Sequence, residues 1–291
     1  PYLHPVHGLD EFWIVGSHTD QSVAGANTDG FILRIDDIYG NMLNPNTFYG
    51  TQASNDVFTS IIPTANTNVD LSGNGEGFVI AGYTDESGNN DAWNIAMDNN
   101  QSVAWANKFN YMVAGAPTLN NDVCNHLMER INTMGVEEYY LVGTTDNGVH
   151  GTEDVLVFKL YNNGNLTPNG QFTYGDVDAD RGIRIDQLNG FGPDADGIAI
   201  YAQSFHIPQI GGFDHYLIKA YFNGVTSCKD DQQDGDQQPG PNYLFDTNSD
   251  NTGPNNFTDF PMQIDVYQPL SELLICSSPS ESDGNNARIA P

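Results

Sequence analysis

The residues best suited to chemistry are acids at alternate positions. Asp176, Asp178 and Asp180 stand in GDVDADRG, and Asp246, Asn248 and Asp250 stand in DTNSDNTG. Hard oxygen ligands at alternate positions are how calcium loops begin. In the first run the glycine comes one residue late, and no glutamate closes the loop at the usual distance. Asp180 also opens DRGIRIDQL, one of several recurring strand segments. The second run lies in an insertion that the repeat does not share. Asp246, Asn248 and Asp250 are therefore the first expected calcium ligands, Asp176 and Asp178 the second. Flexible polar linker is the plain alternative for both, and DDQQDGDQQPGP just before the second reads as an exposed loop.

Nucleophilic chemistry has a weaker basis. Cys124, His126 and Glu129 lie close together in one strand pattern, and residues two apart on a regular strand share a face. A working thiolate must also be exposed and within reach of its base, and a thiol in an apolar run is more often buried. Cys124, Cys228 and Cys276 are odd in number and widely spaced. They form neither zinc pairs nor an even disulfide framework, and one disulfide is open to any pairing. The seven histidines are scattered, and the acids offer many pairs for glycoside chemistry without revealing a separation. Trp13, Trp93 and Trp105 could stack on sugars, but each falls in a strand pattern that suits a core. No phosphate-cradling glycine loop occurs.

The 9 basic and 38 acidic side chains give a formal net charge of −29. That field opposes nucleic-acid backbones, whose affinity comes from cations displacing counterions, and opposes docking on anionic bilayers. Apolar runs are far short of a spanning helix. Hydrophobic residues make up 38% of the chain, enough to fill a core rather than leave an acidic coil. The acidic, lysine-poor, amide-rich surface suits extracellular surroundings. No basic and apolar leader precedes Pro1, as expected where a signal peptide has been removed or the natural start lies upstream.

The elements that must position these residues form a repeat. FWIVGSHTD, GFVIAGYTD and EYYLVGTTD share one design; GIAIYAQSF carries Ala202 in place of the glycine, and ELLICSSPS carries Cys276. These anchors recur roughly sixty to seventy residues apart. A second apolar strand follows each: DGFILRID, DAWNIAMD, EDVLVFKL, FDHYLIKA and a truncated NARIAP. A turn and an aromatic-rich strand come next, as in NTFYG, WANKF and QFTYG. Before the anchors stand DVFTSIIPT, DVCNHLMERI, DRGIRIDQL and DFPMQIDVY, with Pro1 to Val6 as a shortened first copy. Alternating or wholly apolar residues mark these as antiparallel strands, and no helical period of similar length occurs. Asp56, Asp122, Asp180 and Asp259 recur at one place, as do Asp29, Asp91 and Asp154, and Thr19, Thr84 and Thr145. Short polar side chains at such points cap turns or bond the backbone of a neighbouring unit.

The predicted fold is all-β: a propeller of four-stranded antiparallel blades, five in number with the last incomplete. The single domain divides into blades over 1–52, 53–112, 121–177, 178–257 and 258–291. A β-sandwich is the alternative, which would not explain the ordered repetition.

The segments DVFTSIIPT, GFVIAGYTD, DAWNIAMD and SVAWANKFN resemble the repeat of secreted and cell-surface β-propellers of Bacteroidota and related bacteria. The resemblance implies the fold and an exported location, and no single activity, since fold does not fix function. The expected role is a non-enzymatic extracellular or cell-surface scaffold, displaying the loops at 110–121 and 229–259. Its partners would be a protein, a glycan or further copies of itself. A secreted hydrolase or lyase with an acidic site at the ring's mouth is the alternative.

Overall fold

The structure is a computed structural model that describes residues 2–3, 10–19, 27–36, 39–43, 47–50, 54–64, 66–71, 77–86, 88–113, 116–117, 120–146, 152–175, 179–188, 197–205 and 214–224. All lie in the compact unit Pro1–Asp250; the unit Asn251–Pro291 falls outside the described residues.

The described chain is all-β, without a helix. Sheet 1 joins β1 (Tyr2–Leu3), β2 (Asp10–Thr19), β3 (Thr28–Asp36) and β4 (Thr47–Tyr49) in that order. Sheet 2 joins β5 (Asp56–Thr64), β6 (Gly77–Thr84), β7 (Asp91–Asp98) and β8 (Val103–Phe109). Two short strands, β9 (Met112–Val113) and β10 (Ala116–Pro117), pair within the connection that follows. Sheet 3 contains β11 (Asp122–Ile131), β12 (Glu137–Asp146), β13 (Glu153–Tyr161) and β14 (Leu166–Tyr174). Sheet 4 contains β15 (Ala179–Leu188), β16 (Gly197–Phe205) and β17 (Asp214–Ala220). Neighbours within each sheet are antiparallel meanders, so the strand order of the repeat is the strand order in space. One parallel pair, Glu153 with Ala179, joins sheets 3 and 4 into a seven-stranded sheet, which the repeat alone does not suggest.

The strand period of two explains the packing. In β6, Phe78 and Ile80 enter the core shared with sheet 1, while Val79 and Ala81 enter the core shared with sheet 3. In β12, Tyr139 and Leu141 join the sheet 2 core, while Tyr140 and Val142 join the sheet 4 core with Ile185, Ile198 and Ile200. Every residue of β7 is consequently buried, since this strand has a neighbour on each side. Trp13 stacks on Phe78 across the first interface at 3.9 Å between ring centroids, and within sheet 2 Phe58 stacks on Trp93 at 4.9 Å on either side of Gly82. Trp93 and Trp105 are buried in these cores, which accounts for both without a sugar. Arg34 is buried too, held by Glu11 at 2.8 Å with its guanidinium 4.6 Å above the Trp13 ring. Pro63 sits on edge strand β5, where its missing N–H leaves no ladder bond unmade.

The first strand of sheets 2, 3 and 4 carries the same irregularity. Pairing shifts between Phe58 and Ser60, between Cys124 and His126, and between Gly182 and Arg184, leaving Thr59, Asn125 and Ile183 as bulges. The bulges turn the preceding carbonyls inward. A Cβ on Gly82 would fall on the Val57 carbonyl oxygen, and one on Gly143 on that of Val123, so the anchor glycines leave room for a carbonyl. Two bulge side chains also join sheets: Thr59 Oγ1 donates to the Cys124 carbonyl at 2.8 Å, and Asn125 Nδ2 to the Gly182 carbonyl at 2.7 Å.

Candidate functional site: the carboxylate joints between sheets

The recurring acids converge where one sheet hands the chain to the next. Asp56, Thr84 and Asp91 face one another directly across β5, β6 and β7, and Asp122, Thr145 and Asp154 do so across β11, β12 and β13. All six are buried. Carboxylates of adjacent sheets also approach each other. A side chain at Gly50 would lie 2.5 Å from Asp56 Oδ2 and 2.7 Å from Asp29 Oδ1. One at Gly175 would lie 2.8 Å from Asp154 Oδ1 and 3.0 Å from Asp180 Oδ2.

The joint between sheets 2 and 3 is the most elaborate. Asp122 Oδ2 accepts the Tyr111 N–H at 2.6 Å, so this strand-opening acid bonds the backbone of the connection that leaves β8. Burial raises the Asp122 carboxyl from the ordinary 3.8 to about 7; the Thr145 hydroxyl and Tyr111 N–H oppose this, while Asp91 and Asp146 add to it. Asp91 is fully buried and meets Lys108 Nζ at 3.1 Å and Asn89 Nδ2 at 3.0 Å. Glu86 Oε2 stands 3.4 Å from the same ammonium.

A second polar device flanks the acids. Asn121 N and Nδ2 both donate to the Asp146 carboxylate, and its Oδ1 accepts from Asn90 N of the preceding sheet at 2.9 Å. Asn55 repeats this with Asp85 and with Thr28 N at 3.0 Å. The third joint has Ala179 in the asparagine's place and is made differently: Arg181 grips Glu153 through two nitrogens beside the parallel Glu153–Ala179 pair. The sequence signal for the clasp is the asparagine directly before DVF and before DVC, one residue outside the recurring strand segments.

Of the expected calcium ligands, Asp176, Asp178, Asp246, Asn248 and Asp250 all lie outside the described residues, as do Cys228 and Cys276. Asp180 is buried and accepts the Tyr216 hydroxyl at 3.0 Å, as a joint residue rather than a loop ligand. Among the described residues no three or more His, Cys, Asp or Glu side chains are grouped to hold a metal ion. Within them, too, no helix is long and apolar enough to cross a membrane.

The expectation that Cys124 and His126 share a face is corrected by the bulge at Asn125. Cys124 pairs with Gly143 and His126 with the adjacent Val142, so the two side chains leave opposite faces. Cys124 is a free, buried cysteine whose thiol is pushed up by burial and by the Asp122 charge. Burial and the Arg184 charge push the His126 imidazole down, with Asp186 and the Ile185 backbone opposing. Glu129 instead joins a polar cluster with Thr64, whose hydroxyl lies 3.0 Å from that of Tyr139; Asn66 Nδ2 donates to the Tyr139 hydroxyl at 2.9 Å. Burial raises the Glu129 carboxyl as well.

The chain matches no protein-family model and no curated protein.

Proposed function

We propose that this chain is a five-bladed β-propeller with an incomplete last blade, exported to the cell surface or extracellular space. It serves there as a non-enzymatic scaffold for binding or assembly. The observation that carries this reading is the use made of the recurring polar residues. Asp56, Asp122, Asp154 and Asp180 are buried at sheet-to-sheet joints, so their repetition is accounted for by architecture. Sheets that follow one another face to face support a radial array, since each unit buries its faces on its neighbours. The acidic composition and the repeat resemblance support export. Recognition falls to residues the repeat does not share, against a protein, a glycan or another copy.

The alternative, a secreted hydrolase or lyase, draws on one observation: the Asp122 carboxyl is held near 7 by burial, with the charge of a second acid, Asp91, adding to the shift, as catalytic acids often are. Its full burial speaks against substrate access. Purified protein tested on a panel of polysaccharides and peptides should show no turnover, while cryo-electron microscopy should show a closed ring. Turnover abolished by Asp122→Asn would establish the enzyme instead, and an open stack of sheets would remove the propeller.

A further inference from the structure

Among the sheets whose four strands are described, sheet 2 alone joins a lysine, Lys108, to the strand-opening Asp91, with Glu86 beside them. Asp91 has counterparts in Asp29 and Asp154, each two residues before the residue paired with the neighbouring strand. At that partner position sheet 1 has Phe48 opposite Phe31, and sheet 3 has Thr173 opposite Leu156. Sheet 2 has Lys108 opposite Trp93. Lys108 is therefore the diagonal cross-strand neighbour of Asp91, within reach of a long side chain. The lysine side chain is 9% exposed and the aspartate 0%, so amine and carboxyl meet almost without water. A buried ion pair of this kind adds little net stability over apolar residues of similar size. The third group is what a plain ion pair does not need. Glu86 Oε2 stands 3.4 Å from the same nitrogen, on a side chain 40% exposed that leads from the buried pair to solvent.

We propose that Lys108 and Asp91 condense to an intramolecular amide, with Glu86 relaying protons. A proton passes from the ammonium to the Asp91 carboxylate, leaving a neutral amine beside a neutral acid. The Lys108 Nζ lone pair attacks Asp91 Cγ, and the new C–N bond forms. Glu86 takes a proton from the nitrogen and returns it to the departing hydroxyl. The C–O bond breaks and one water leaves; ammonium plus carboxylate becomes amide plus water, with no oxidant or reductant. The bond ties edge strand β8 to β7.

Intact-mass measurement of the full, denatured chain tests this directly, followed by peptide mapping. The expected chain is lighter than its sequence by one water and yields a branched peptide carrying Asp91 and Lys108. Lys108→Arg should return the full mass, as should Glu86→Gln, whose half-exposed site leaves folding intact. A wild-type chain at full sequence mass after days at neutral pH overturns the bond. So does a lost water that maps elsewhere, as a succinimide would. A branched peptide persisting in Glu86→Gln overturns the relay.

Discussion

Burial holds the Asp122 carboxyl near 7, and that displacement sets a pH dependence. The folded chain keeps this proton more tightly than the unfolded chain, where the carboxyl titrates near 3.8. The stabilisation is complete below the unfolded value and is lost as pH rises through the folded one, with a slope of at most about 1.4 kcal/mol per pH unit for one proton. Thermal unfolding of the wild type should therefore fall relative to Asp122→Asn as pH is raised from about 4 to about 7, and run parallel above that. Parallel curves throughout would mean that the acid titrates normally. The acids of this joint were legible as recurring letters, because repetition at one place in a unit marks an architectural position. Lys108 was not, since WANKF reads simply as a strand. Only the register of β7 against β8 reveals that its amine reaches back to Asp91.

At the scale of the strand, the bulge in β5, β11 and β15 decides more than any side chain. It aims the Val123 carbonyl at Gly143 and so excludes even one methyl group there. Gly143→Ala is expected to cost ~2–3 kcal/mol, as overpacking of a filled site does. Urea unfolding monitored by Trp fluorescence would check this, and a midpoint unchanged from wild type would show that β11 can shift aside. The strands themselves were legible from period-two apolar patterns and their repetition. The bulge was not, because Thr59, Asn125 and Ile183 share no residue type, and a bulge inserts a residue without leaving a mark in composition. The Cys124–His126 reading failed at that point, since one extra residue reverses every face assignment beyond it.

Among the described sheets, neither sheet 2 nor sheet 3 owns a core. The apolar residues of sheet 2 divide between two clusters, one shared with sheet 1 and one with sheet 3. An isolated fragment of residues 53–112 should therefore remain unfolded, whereas a longer array gains each interface it adds. Proton NMR of that fragment would decide; a dispersed spectrum would show a unit that stands alone. The two-sided strands have a consequence for inheritance as well. Adding or deleting one residue inside β12 would send Tyr139 and Leu141 to the partner that now receives Tyr140 and Val142, exchanging both hydrophobic inventories at once. Length variation among descendants of this gene can therefore accumulate only in the connections, while the strands drift by substitution alone.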